Sequence, residues 1–176
     1  MILALSLGAA PAFGFQAEVG GLAGRCSTEA RLGRHDDAAI DLCTRALAAE
    51  SLTERDRAGT YVNRGAMHLL NKENAQAHDD FAQAVRIDPQ LGEAHVGEGG
   101  YLISQQRYRE AEAEISRGLD LATEQPEKAY YFRGIARWGQ DDYKGAYLDF
   151  KHAVALKPDW ADPKEQLAYF TVTPVR

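Results

Sequence analysis

The apolar positions of this chain recur at helical spacing in short blocks, and nowhere do they alternate as a half-buried strand requires. Three blocks can be laid over one another: RGAMHLLNKENAQAHDDFAQAVRIDP, EGGYLISQQRYREAEAEISRGLDLAT and RGIARWGQDDYKGAYLDFKHAVALKP. They begin at Arg64, Glu98 and Arg133, so their offsets are 34 and 35 residues. Each has a small residue early, at Gly65, Gly99 and Gly134, and an alanine 12 positions on, at Ala77, Ala111 and Ala146. A large apolar residue follows four positions later (Phe81, Ile115, Phe150), then a small one (Ala84, Gly118, Ala153). Each block therefore predicts two helices joined by a tight turn. The small residues let the two backbones approach, and the large residue, one turn beyond the alanine, fills the gap beside them. Asp88-Pro89 and Lys157-Pro158 close the first and third blocks, because proline cannot continue a helix.

A looser copy comes first. In RHDDAAIDLCTRALAAE the same slots read Ala39, Cys43 and Ala46, with Gly33 at the turn and Ser27 in the small slot of the preceding helix. Ser51 with Glu54 is expected to form a capping box that starts the next helix early. Asp162-Pro163 reads as an N-cap followed by proline at the first helical position, which predicts a last helix over residues 163–170. The skeleton of glycine, alanine, large apolar residue and closing proline, on a period of about 34, resembles the tetratricopeptide repeat (TPR). The resemblance covers residues 20–170. It implies an all-α fold, an α-solenoid of antiparallel helix pairs. The expected units are a degenerate hairpin at 20–53, repeats at 58–91, 92–125 and 127–160, and a capping helix at 161–171 that covers the apolar end of the stack.

Composition narrows the setting. The chain has 176 residues, 45% hydrophobic and 26% charged, with a net charge of −6. That charge repels phosphate backbones, so no nucleic-acid partner is expected. No apolar run is long enough for a membrane helix in the mature chain. Residues 1–15 carry no charged side chain, and Ala10 with Ala12, or Ala12 with Gly14, frames a small-residue cleavage site. Residues 1–14 therefore read as a signal peptide that lacks its basic start. A buried N-terminal helix is the alternative. The expected location is periplasmic or secreted, with a cytoplasmic one as the alternative.

The two cysteines, Cys26 and Cys43, lie equally far from the turn after Gly33, and Cys43 fills the slot that faces the partner helix. A hairpin disulfide is expected in an oxidising compartment, against the alternative of two buried thiols. No C-x-x-C, H-E-x-x-H, G-x-S-x-G or phosphate-binding glycine loop occurs, and the five histidines do not pair at metal-ligand spacing. No catalytic residue, metal or cofactor is expected, and the chain reads as a non-enzyme. Gly97 and Gly100 are expected either to weaken their helix or to permit the close approach of a neighbour or ligand.

The resemblance implies function as well. In TPR stacks the first helix of each unit lines a concave face that commonly binds extended peptides or partner helices. Matching the register places Val62, Asn63, Ala66 and Leu69, then Val96, Gly100 and Ile103, then Lys128, Tyr131, Ile135 and Trp138 in that groove. Relatives that bind chaperones grip a C-terminal carboxylate with Lys, Asn and Arg. Here Val62, Ala66, Glu93 and Gly97 stand in those slots and only Asn63 fits, so no such clamp is expected. The reading is a protein- or peptide-binding adaptor of the cell envelope with an apolar groove. The alternative is a structural or regulatory subunit of a larger complex, or a self-associating module. The partner's identity and the oligomeric state are left open.

Overall fold

A computed structural model describes residues 14–16 and 21–170 of the chain. Most of the expected signal peptide, residues 1–13, lies outside them. The described residues form nine helices and no strand: α1 (Gly21–Arg31), α2 (Asp37–Ala49), α3 (Glu54–Leu70), α4 (Asn74–Ile87), α5 (Gly92–Ser104), α6 (Tyr108–Asp120), α7 (Pro126–Trp138), α8 (Tyr143–Leu156) and α9 (Ala161–Leu167). Helices α1 to α8 pair in sequence order as four hairpins. The first helices also pack on one another, α1 on α3, α3 on α5 and α5 on α7, which makes them one layer of the stack. The fold is an all-α solenoid.

The turns within the hairpins repeat one piece of chemistry. Gly33, Lys72, Gln106 and Asp141 all have positive φ, between 59° and 72°. Each follows the end of the first helix of its hairpin and donates its N–H three residues back, as Lys72 does to Leu69 and Gln106 to Ile103. The next residue donates five back, as Glu73 does to His68 and Arg107 to Leu102. This left-handed termination satisfies the orphan carbonyls and reverses the chain in a few residues.

Close packing explains the small slots. A Cβ at Gly134 would stand 2.6 Å from Phe150 Cε1, and one at Gly65 would stand 2.9 Å from Phe81 Cε1. Gly97 also admits the Phe81 ring, at 2.5 Å from a Cβ, so its lack of a side chain serves the contact between successive hairpins. Gly100 meets only an ordinary contact, Leu69 Cδ2 at 3.5 Å. Phe81, Ile115 and Phe150 are fully buried.

Two expected boundaries move. Helix α3 does begin early, but its cap is Thr53, whose Oγ1 accepts from the Asp56 N–H at 3.1 Å; Ser51 is not the cap. Thr53 stands one residue before the helix, so its hydroxyl reaches the third helical N–H. Helix α9 starts at Ala161 with Trp160 as its N-cap, so Pro163 is the third helical residue and Asp162 the second. Proline is tolerated there because first-turn N–H groups have no intrahelical acceptor. Residue 171 lies outside the described residues. A disulfide joins Cys26 in α1 to Cys43 in α2, with both residues fully buried and their Cα atoms 5.0 Å apart.

Candidate peptide-binding face

The inner layer is already occupied at its N-terminal end. Residues 14–16 cross α1 and α3 and reach the turn before α7, and the groups that hold them are side chains. The Asn63 amide takes both ends of one residue. Its Oδ1 accepts from the Phe15 N–H at 2.6 Å, and its Nδ2 donates to the Phe15 carbonyl at 3.0 Å. A residue offers both groups to one partner only when they point the same way, as in a strand. Ser27 Oγ also donates to the Phe15 carbonyl, at 2.7 Å. Gln125 Nε2 donates to the Gly14 carbonyl, and the Gln16 backbone hydrogen-bonds the Glu124 carboxylate.

The Phe15 side chain is 2% exposed. Its ring lies against Gly59 of α3, where a Cβ would overlap it, and the Arg55 guanidinium stands 5.7 Å from the ring centroid. Gly14 is as tightly held. A Cβ there would come within 2.7 Å of Asn63 Oδ1 and 3.1 Å of Ala30 Cβ. Arg31 Nη1 donates to the Gln16 side chain at 2.8 Å.

Beside this segment is a cavity of about 330 Å³, lined by Gly14, Gln16, Arg31, Glu124, Gln125, Glu127, Lys128 and Lys157. Burial, with Lys157 and Arg31 nearby, lowers the Lys128 ammonium to about 8, opposed by Glu127. Burial raises Glu124, with Glu93 adding to the shift and the Gln16 backbone, Arg55 and Arg31 working against it. The buried Glu93 carboxylate accepts from the Thr123 hydroxyl at 2.8 Å and from the Glu124 N–H at 2.5 Å. It thereby fixes the turn that carries Gln125.

The residues that the sequence assigned to a groove fall into three places. Asn63 and Lys128 belong to the occupied site and its cavity. Val62 and Val96 are fully buried in the core, with Ala66, Gly100 and Ile103 buried and Leu69 partly so. Tyr131, Ile135 and Trp138 sit at the other end of the stack. The Tyr131 ring meets Trp160 at 4.9 Å, and Trp138 meets Phe170 at 5.1 Å and Tyr169 at 5.8 Å. The segment that follows α8 therefore packs on these two aromatic rings. Sequence reasoning passed over Gly59, Arg55, Ser27 as a ligand of Phe15, Glu124 and Gln125. The one signal it had was Gly59, a helix-weakening residue in the middle of a helical block.

Among the described residues, no group of three or more His, Cys, Asp and Glu side chains converges as a metal site would require. No helix there is long and apolar enough to cross a membrane.

Comparison with solved structures places the fold. A thermophilic TPR protein of Thermus thermophilus superposes with a TM-score of 0.66 at 18% identity, over 84% of this chain and 78% of that one. The Arabidopsis OM64 TPR domain gives 0.60 at 20% identity, over 66% and 95% of the two chains. The first TPR domain of human RPAP3 gives 0.58 at 19%, over 63% and 87%. No protein-family model and no curated protein matches the sequence. This chain has the tetratricopeptide-repeat fold.

Proposed function

We propose that this protein is a non-catalytic adaptor that takes an extended segment of a partner protein on the inner face between α1, α3 and the α6–α7 turn. The observation that carries the reading is Asn63. Its buried amide makes both of its hydrogen bonds to the main chain of Phe15. Side chains that grip a backbone give affinity without demanding a sequence, and a pocket beside them gives selectivity. The apolar part of the groove is then the Phe15 slot over Gly59, and its polar part is the cavity of Arg31, Lys128 and Lys157. The uncharged start of the chain and the Cys26–Cys43 bridge support a place in the cell envelope, where disulfides persist, and cleavage after Ala12, at the site framed by Ala10 and Ala12, leaves residues 14–16 on the mature chain.

Affinity capture from native envelope extracts tests this. Wild-type protein and an outer-helix control, Arg45→Ala on α2, should retain the same client. Gly59→Leu, which fills the slot, should lose it while keeping its helical circular-dichroism spectrum. A client held as well by Gly59→Leu as by the wild type would sink the reading.

A further inference from the structure

We infer that residues 14–16 are a displaceable occupant of this site. The chain closes its own inner face with a Gly-Phe segment, and the partner is an extended peptide presenting a small residue followed by phenylalanine. The inference rests on the reading above and adds to it a regulation and a recognition rule.

Three observations lead to it. First, the site is shaped for the pair. Gly14 leaves no room for a Cβ beside Asn63 Oδ1 and Ala30, and Phe15 places its ring where only a glycine at 59 permits it. A glycine inside a 17-residue helix is a weaker helix former than alanine, so Gly59 weakens α3 in exchange for admitting a ring. Second, the grip is on the main chain. Asn63, Ser27, Gln125 and Glu124 hold the Gly14 carbonyl, both Phe15 groups and the Gln16 backbone, and any peptide carries the same groups. Third, the resident segment uses only part of the space. The cavity of about 330 Å³ beside Gly14 and Gln16 keeps Glu127, Lys128 and Lys157 for a longer ligand.

The linkage sets the strength of the closure. Four residues, 17–20, separate Gln16 from the start of α1. So short a connection gives the segment an effective concentration in the millimolar range. A free peptide must compete with that, and its apparent affinity falls by about 10- to 100-fold until the segment is removed. A partner that also fills the cavity regains the loss.

The experiment uses the full chain and a fluorescein-labelled peptide of residues 12–17, Ala-Phe-Gly-Phe-Gln-Ala, read by anisotropy. Phe15→Ala in the protein should bind the probe at least about tenfold more tightly than the wild type does. Gly14→Val, which cannot seat beside Asn63, should do the same, so the result does not depend on one variant folding. Adding Gly59→Leu to Phe15→Ala should abolish binding, as should replacing the second phenylalanine of the probe with alanine. Equal affinity in wild type and Phe15→Ala, lost in Gly59→Leu, overturns self-closure and leaves the peptide site standing. No binding in any variant, each with an intact melting transition, overturns both. A wild-type dimer that Phe15→Ala converts to a monomer in sedimentation assigns the segment to a neighbouring copy and overturns the intramolecular closure.

Discussion

Lys128 shows what one side chain can report about the site. It is 8% exposed, and burial together with Lys157 and Arg31 lowers its ammonium to about 8. An unfolded chain holds the same group near its ordinary value of about 10.4. Between these values the unfolded state binds the extra proton, so Lys128 makes stability rise as pH increases from about 8 toward 10. Below about 8 both states are charged and the cost of burying the charge is fully present. Lys128→Met should therefore stabilise the protein at pH 7, by about 2 kcal/mol after allowance for the water in the cavity. The advantage should shrink by pH 9.5. Urea unfolding at pH 7 and 9.5 measures both, and a benefit that is the same at the two pH values would overturn the assignment. Tyr131, which burial pushes up to about 12, acts in the opposite sense only above about pH 10.

At the scale of the helix pair, charge repeats as apolar size does. Arg64 meets Asp80 through Nε at 2.8 Å and Nη2 at 2.7 Å; Arg133 meets Asp149 at 2.9 and 2.8 Å in the same fork. Arg137 Nη1 adds a third bond to Asp149 at 2.9 Å. Asp149 is 3% exposed, so its removal leaves the largely buried Arg133 guanidinium without its carboxylate and Arg137 with Glu112 alone. Asp149→Ala should cost about 3 kcal/mol in denaturant unfolding. A loss under about 0.5 kcal/mol, the range of ordinary surface changes, contradicts it. The signal was present in the sequence, an arginine and an aspartate 16 residues apart in two units. The middle unit hid it, because Glu98 and Glu114 take those slots. There His78 and His95 supply the partners instead, at 3.2 and 2.8 Å.

For the molecule as a whole, the weakest end is the first hairpin. The second, smaller hydrophobic cluster comprises Cys26, Ala30, Ala39, Cys43 and Met67, with no buried aromatic ring. The disulfide closes a loop of 17 residues across it. Cross-linking a loop of that length stabilises by about 3 kcal/mol. Cys26→Ala/Cys43→Ala should lower the unfolding free energy by about that amount. It should also loosen residues 14–16, since Ser27 and Arg31 on α1 hold them. Urea titration and hydrogen exchange at the Phe15 amide check the two effects, and an unchanged midpoint would remove the bridge from the list of stabilising features. The hairpins α3–α4 and α7–α8 bury Phe81 and Phe150, α5–α6 buries Ile115, and α9 packs on α8.

The sequence by itself determined the helical class, the period and the slots where helices cross, because each depends on residues three or four apart or one repeat apart. It also marked the turn around which Cys26 and Cys43 sit equally far. Tertiary structure decided what the inner face holds. Nothing local to Phe15 says that it meets Asn63, 48 residues away, or that Gly14 meets Gln125, 111 residues away. Those contacts exist because successive first helices stack side by side, which brings α1, α3 and the turn before α7 around one short segment. The same stacking buried Val62 and Val96 inside the core, where register alone had placed them in a groove. Periodicity gives the face of a helix, and the neighbour that covers that face is settled only when the layers close.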